Sequence, residues 1–167
     1  VYVRIIDYKT GKKDFNIVKT YYGIDIQLMV YMEAAMKLVA KMRPGKNVIP
    51  AGVFYYNISD PIVSATTESA EEIEDKIKGE LRLKGMVNSD KDIAEKMDNT
   101  EGTSLNIPVS RKADGGFDSR RSKVMNTEQF NMLGRFVDVR AIDTADRIAG
   151  GDIRRSPYTV SYTHLRA

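Results

Sequence analysis

At the start of the chain Val1, Val3 and Ile5 alternate with Tyr2, Arg4 and Ile6, and most of the apolar residues among the first nine are β-branched. This period of two predicts a β-strand over residues 1–9, which Thr10-Gly11 ends as a turn. Successive side chains of a strand point to opposite faces, so Asp7 and Lys9 are predicted to emerge side by side near its C-terminal end. The first strand therefore presents an acid and an amine together.

A periodicity of three and four residues predicts one long helix over residues 20–42, which ends before Pro44. The apolar positions that define it are Ile24, Leu28, Tyr31, Ala35, Leu38, Val39 and Met42. Gln27 and Tyr31 share one face of this helix. Either Gln27 is a boundary residue that reaches water and Tyr31 fills the core, or both reach the end of the first strand. There they would contact nucleic acid or steady Lys9.

Shorter patterns predict the remaining elements. Strands are expected over residues 47–58 and 62–66. A helix is expected to begin at Ser69 or Thr67 and to end at Gly85, and a second one to cover residues 89–97. A third is expected over 127–149, with Thr127 or Asn126 as its N-cap. The order strand, long helix, strand predicts a right-handed crossover with the helix on the sheet, which is an α/β arrangement. Residues 99–126 lack strong periodicity and are predicted to form a long basic loop, with a hairpin turn at Asp114-Gly115-Gly116.

The composition is that of an ordinary globular domain, with 167 residues of which 42% are hydrophobic and 29% charged. The absence of cysteine excludes disulfides and thiolate metal sites in this chain and fits a reducing cytoplasm. No apolar run is long enough to span a membrane, so we expect no membrane partner. The net charge of +3 divides into +5 over residues 1–50, −1 over 51–67, −5 over 68–101 and +4 over 102–167. Phosphate contacts are therefore expected of the basic first part.

The chemistry of Asp7 and Lys9 suits metal-assisted hydrolysis of a phosphodiester. A carboxylate ligates a hard divalent cation, while an ammonium orients the attacking water and offsets charge that develops on the phosphate. The alternative is an ordinary surface ion pair, which contributes little energy. Lys12, Lys13 and Lys19 follow in the loop before the long helix, where they either contact phosphates or are solvated loop charges.

The run Ile5-Ile6-Asp7-Tyr8-Lys9, followed by Gln27-x-x-x-Tyr31, resembles the RecB-like branch of the PD-(D/E)XK nuclease superfamily. Within that branch, the chain is similar to the B subunits of bacterial ATP-dependent helicase/deoxyribonucleases, the AddB or RexB type. The segments that carry this likeness are Tyr21-Tyr22-Gly23, Gln27 to Tyr31, Pro50 to Tyr56 and Lys84-Gly85-Met86. The resemblance covers residues 1–158 as a partial nuclease domain. Residues 159–167, which include the only histidine, His164, do not resemble the family.

The resemblance implies a restriction-endonuclease-like mixed sheet flanked by helices, an α/β (α+β) fold. It also implies roles for individual residues. Asp7 and the backbone carbonyl of Tyr8 would ligate Mg²⁺, and Lys9 would serve the attacking water. Gln27 and Tyr31 would match the family's Gln-x-x-x-Tyr element near the active site.

The resemblance further implies a DNA exonuclease that works beside a helicase partner subunit in the bacterial cytoplasm. Its substrate would be the single strands of unwound duplex DNA, and its task the processing of double-strand breaks for homologous recombination. Helicase motifs are not visible in the 167 residues, so ATP-driven activity is expected elsewhere in the assembly.

The chain also departs from the family pattern. The family's site uses an acidic residue on the preceding strand and a further acid or histidine upstream, and both would precede Val1. We therefore expect an N-terminally truncated fragment that binds Mg²⁺ weakly and has little or no nuclease activity by itself. The resemblance to the B subunits would also imply an iron–sulfur cluster held by cysteines in the full-length protein, and this chain has no cysteine.

Two other classes of function remain open from the sequence. One is a non-catalytic relative that keeps the fold as a scaffold or DNA-holding module, although the presence of both Asp7 and Lys9 argues against it. The other is an unrelated α/β interaction domain whose acidic 68–101 face binds a partner. Such a domain would not show the steep salt dependence of phosphate contacts.

Overall fold

A computed structural model describes residues 1–58 and 69–154. These residues form a four-stranded mixed sheet in the order β1-β2-β3-β4. The strands are β1 (Tyr2–Lys9), β2 (Ile49–Asn57), β3 (Lys84–Asn88) and β4 (Val124–Met125). Strand β2 runs parallel to β1 and antiparallel to β3, and β4 runs parallel to β3. The first strand and the strand predicted over residues 47–58 are therefore confirmed, and the sheet is mixed as predicted.

The helices are α1 (Ile17–Tyr21), α2 (Gln27–Met42), α3 (Ala70–Leu81), α4 (Lys91–Met97) and α5 (Thr127–Ala149). Capping side chains set where four of them begin. Asn16 caps α1, and its side chain accepts from the Lys19 N–H at 3.0 Å. Ser69 caps α3 and Asn126 caps α5, each in a reciprocal capping box, and Asp90 accepts from two backbone N–H groups of α4. Helix α2 packs on β1, β2 and α5, so a helix lies on the sheet between parallel strands, as predicted. Within the described residues, no helix is long and apolar enough to cross a membrane.

The prediction of one continuous helix over residues 20–42 is wrong, because the chain breaks between α1 and α2. Gly23 adopts a positive φ of 77°, a conformation that a helix cannot contain. The buried hydroxyl of Thr20 donates to the carbonyl of Asp25 at 2.9 Å and stabilises the bend. Gln27 consequently becomes the first residue of a new helix rather than an interior one.

The main core lies between α2, the sheet and α5. Its buried members include Val3, Leu28, Met29, Met32, Val53, Tyr55, Phe130 and Val137. The predicted apolar stripe of α2 is therefore only partly correct. Tyr31, Leu38 and Met42 are exposed, and Leu28, Met29 and Met32 are the residues that are fully buried. Tyr31 is not core filler.

The long segment after α4 packs on the other face of the sheet instead of extending as an open loop. Ile107 and Val109 are fully buried there against Phe54 and Val87. An antiparallel bridge pairs Arg111 with Phe117 on either side of the predicted Asp114-Gly115-Gly116 turn. Periodicity could not reveal this packing, because Ile107 and Val109 are the only large apolar side chains of residues 98–123 that are fully buried.

The prediction that the helix beginning at Ser69 or Thr67 ends at Gly85 is also wrong. Helix α3 ends at Leu81, and Gly85 lies within β3, a strand that the sequence patterns missed. A Cβ atom at Gly85 would lie 1.9 Å from the carbonyl oxygen of Val53 on the neighbouring strand. Glycine is required here because the backbones of β2 and β3 approach too closely for a side chain. The strand predicted over 62–66 lies outside the described residues.

Candidate active site

Asp7 and Lys9 lie side by side at the C-terminal end of β1, as predicted. Their Oδ2 and Nζ atoms are 2.7 Å apart, and 17% of the Asp7 side chain and 28% of the Lys9 side chain are exposed. Oδ2 of Asp7 is buried, and no donor meets it in good hydrogen-bond alignment. The contact is therefore an ion pair, and the oxygen retains lone pairs for another electropositive partner.

Gln27 and Tyr31 extend this pair into a chain of four residues. The Lys9 ammonium donates to Oε1 of Gln27 at 2.8 Å, and the Gln27 amide nitrogen donates to the Tyr31 hydroxyl at 2.9 Å. An ammonium has three hydrogens, so the contacts with Asp7 and Gln27 leave one for a water or a phosphate oxygen. The sequence left open whether Gln27 and Tyr31 reach water and the core, respectively, or the end of the first strand. In the structure Gln27 contacts Lys9 at the end of β1, and Tyr31 contacts Gln27.

A second charged cluster, absent from the sequence predictions, lies beside the first. Its members are Asp25, Tyr55 and Lys13. The fully buried Tyr55 hydroxyl donates to Oδ1 of Asp25 at 2.8 Å, and the Lys13 ammonium lies 2.9 Å from Oδ2 of Asp25. Burial, the hydrogen bond to Asp25 and the negative charges of Asp25 and Asp7 together raise the pKa of Tyr55 above its ordinary value. Tyr55 therefore remains a neutral donor.

Tyr55 joins the two clusters. It pairs with Asp7 in the register of β1 and β2, and the ammonium groups of Lys9 and Lys13 each lie 5.6 Å from the centroid of its ring. Both ammonium groups are within reach of a cation–π interaction with this one ring. The sequence indicates this second cluster only weakly, through an acid two positions before Gln27 and a tyrosine in an apolar strand.

The three predicted DNA-binding lysines have different surroundings. Lys13 is held by Asn57, whose side chain accepts from the Lys13 N–H at 3.0 Å and donates to the Lys13 carbonyl at 3.1 Å. Lys12 is exposed beside it. Lys19 lies in α1, and its ammonium forms no ion pair or hydrogen bond with the part of the chain that is described. The structure therefore brings one of the three to the site.

The oxygen atoms at this strand end fit a divalent cation. Asp7 offers a buried carboxylate oxygen without an aligned donor, and the Tyr8 peptide carbonyl follows it in the chain. The Tyr8 side chain is exposed and packs against Tyr56. Hard cations prefer such oxygen ligands. Within residues 1–58 and 69–154, no group of three or more Asp, Glu, His or Cys side chains gathers around one point.

Comparison with known proteins assigns the family. The family model described as the PD-(D/E)XK nuclease superfamily matches residues 2–159. The chain belongs to this superfamily. Its fold is accordingly restriction-endonuclease-like, as the resemblance implied, and nucleases of the superfamily generally use divalent metal ions. Asp7-Tyr8-Lys9 has the order of the (D/E)XK element from which the superfamily takes its name.

Similar proteins from several bacteria are named as the B subunit of an ATP-dependent helicase/deoxyribonuclease. The chain is 38% identical to the one from Clostridium botulinum, 37% to that of Thermoanaerobacter sp. and 40% to that of Caldanaerobacter subterraneus. Each match covers 94% of this chain and 14% of the relative. The chain thus spans about one seventh of the length of these relatives.

Proposed function

We propose that Asp7, Lys9 and Gln27 form part of the active site of a Mg²⁺-dependent DNA exonuclease. The observation that carries this proposal is the chain of contacts from Asp7 through Lys9 to Gln27 at the end of β1. A surface ion pair would not need a helix-borne amide to hold its lysine. The contacts instead fix the direction in which the lysine presents its remaining hydrogen.

Each residue of the proposed site has a distinct task. Asp7 and the Tyr8 carbonyl would hold Mg²⁺, which supplies Lewis-acid chemistry when bound. Lys9 directs its free N–H at the attacking water and offsets negative charge that develops on the phosphate. Gln27 holds the ammonium in place, and Tyr31, whose side chain is exposed at the same edge, contacts the DNA strand.

We infer the setting of this activity from the names of the relatives. The complete protein would act next to a helicase partner in the bacterial cytoplasm, and it would degrade single strands of unwound duplex during double-strand break processing for homologous recombination. The basic balance of residues 1–50 supports a polyanionic substrate.

We also propose that the 167-residue chain alone cleaves DNA weakly. The described residues bring one carboxylate, Asp7, to the lysine, and Mg²⁺ bound through so few protein ligands keeps most of its waters and dissociates readily. Residues of the complete protein would supply the other ligands.

The test measures cleavage of a labelled single-stranded oligonucleotide by the full-length protein, in Mg²⁺ and in EDTA. Asp7→Asn is expected to lower the rate at least about 100-fold, because the metal loses its charged ligand. Asp143→Asn, the same change on exposed α5, is the matched control and should cleave normally. Normal cleavage by Asp7→Asn would show that this domain does not carry the active site and serves as a scaffold instead. Robust cleavage by the 167-residue chain would contradict the proposed weak activity.

A further inference from the structure

An open, basic cavity of about 410 Å³ lies where β1 and β2 end and β3 begins. Six of the side chains that line it are basic: Lys12, Lys13, Arg82, Lys84, Arg121 and Lys123. Two are acidic, Asp14 and Glu80. We call this cavity the basic groove. Its walls come from four separate parts of the chain (residues 12–14, 57, 80–84 and 108–123), so the sequence does not reveal the cluster.

Internal contacts engage some of these charges and leave others available. Arg82 donates to the carbonyls of Ile107 and Val109 at 2.8 and 2.9 Å, and it serves the packing of that segment. Lys123 lies 2.6 Å from Asp14 in an exposed ion pair. By contrast, Lys12 and Arg121 are exposed, and their side chains form no ion pair or hydrogen bond with any residue that the structure describes.

The basic groove is continuous with the candidate active site. Lys13 lines the groove and also contacts the Tyr55 ring on which Lys9 lies. Its ammonium is thus separated from that of Lys9 by no more than twice the 5.6 Å that each lies from the ring centroid. Asn57, which also lines the groove, holds the Lys13 backbone in this position. Basic side chains therefore line the end of the sheet from Lys9 to Arg121, although Lys9 and Lys13 are themselves ion-paired with Asp7 and Asp25.

We propose that the basic groove binds the non-scissile phosphates of the DNA strand whose scissile phosphate lies at Asp7 and Lys9. This proposal rests on the proposed nuclease function. A polyanionic strand that is cleaved at the end of β1 must leave the site along the surface, and the groove offers unpaired cations from two walls. Contacts of this kind position a strand without reading its sequence. Lys12 and Arg121 supply the free charges, and Lys13 connects them to the site.

The experiment compares two double variants of the 167-residue chain. Lys12→Gln with Arg121→Gln removes the free charges of the groove, and Lys41→Gln with Lys46→Gln removes the same charge at the opposite end of the sheet. Binding of a fluorescein-labelled single-stranded oligonucleotide is followed by anisotropy in EDTA, across a range of salt concentrations. Circular dichroism checks that both variants are folded.

We expect the groove variant to bind about tenfold more weakly at low salt. The slope of log K against log salt should become less steep by about 1.4, since each phosphate contact on a single strand contributes about 0.7. The control variant should keep most of the wild-type affinity, and its slope of log K against log salt should change less than that of the groove variant. Equal slopes and affinities for the two variants would overturn the proposal. So would a polyglutamate peptide that competes as well as the oligonucleotide at equal charge, because the groove would then be an acidic-peptide site.

These outcomes are separate from the test of nuclease function. Binding in EDTA requires no catalysis, so the two tests can fail separately. A groove-dependent slope together with a full-length protein that cleaves equally well with Asp7→Asn would show that the groove binds DNA but would reject the active site at Asp7. Loss of cleavage in Asp7→Asn with unchanged binding in the groove variant would support the active site and reject the groove.

Discussion

The amide oxygen of Gln27 accepts a hydrogen bond from the Lys9 ammonium at 2.8 Å, across 18 positions of the sequence. Gln27 is the first residue of α2, so its side chain projects from the start of the helix toward the end of β1. The same amide donates to Tyr31, which fixes the amide orientation. Lys9 is therefore held from two sides, by an acid on its own strand and by an amide on the helix.

Gln27→Leu tests this positioning role in the full-length protein. The substitution keeps the side-chain size but removes the acceptor, so the Lys9 ammonium gains freedom to turn away from the water. We expect kcat to fall about tenfold or more with little change in KM for DNA, measured by steady-state cleavage of a labelled strand. Tyr31→Phe, which leaves the contact between Lys9 and Gln27 in place, should cost less in kcat. An unchanged kcat in Gln27→Leu would contradict the role.

Tyr55→Phe tests the buried cluster that underlies the site. The change deletes only the hydroxyl that donates to Asp25, whose side chain is 7% exposed, and leaves that carboxylate with one fewer partner. We expect unfolding in urea to show a loss of about 1–2 kcal/mol. Tyr2→Phe is the control, because Tyr2 is 43% exposed, and it should unfold like the wild type. Equal stability of the two variants would show that the hydrogen bond contributes nothing.

Asp98 makes the stability of the chain dependent on pH. Burial opposes ionisation of this carboxyl, but hydrogen bonds from Thr100, Ser104 and Asn106 outweigh burial and lower its pKa to about 2. Because the folded pKa lies below the unfolded one, the ionised form stabilises the fold above about pH 4, and this contribution is lost as pH falls toward 2. The contribution is about 2 kcal/mol.

Asp98→Asn provides the measurement. Urea unfolding at pH 7 should show the variant less stable than the wild type by about 2 kcal/mol, and the difference should shrink at about pH 3. Asp143→Asn, which changes an exposed acid, should follow the wild type at both pH values. A difference between Asp98→Asn and wild type that stays constant with pH would contradict the ionisation argument.

Gly85→Ala tests the close approach of β2 and β3. The added methyl group would lie 1.9 Å from the Val53 carbonyl, so the strands must separate. We expect a loss of about 3 kcal/mol or more in the free energy of unfolding. Gly79→Ala, in α3 with open space around it, should be neutral or slightly stabilising, because alanine favours a helix. Both variants can be compared by thermal unfolding, where wild-type stability of Gly85→Ala would be the contrary result.

Local signals were sufficient where an element obeys its own periodicity. The alternation before Lys9 predicted β1, and the spacing of Asp7 and Lys9 placed their side chains together, because this arrangement depends only on strand geometry. The start of α5 was equally readable, since Asn126 and Gln129 form a local capping box. The spacing of Gln27 and Tyr31 also predicted their shared face.

Tertiary structure decided what lies between such elements. The bend at Gly23 divides a stretch that reads as continuous helix, and the turn buries Asp25, whose partners Tyr55 and Lys13 come from distant positions. The basic groove likewise joins Lys12 to Arg121. By itself the sequence determined the acid, the amine and the amide, because periodicity and short motifs are local. The second charged cluster and the groove depend on contacts between remote residues, which only the packing of strands and helices brings together.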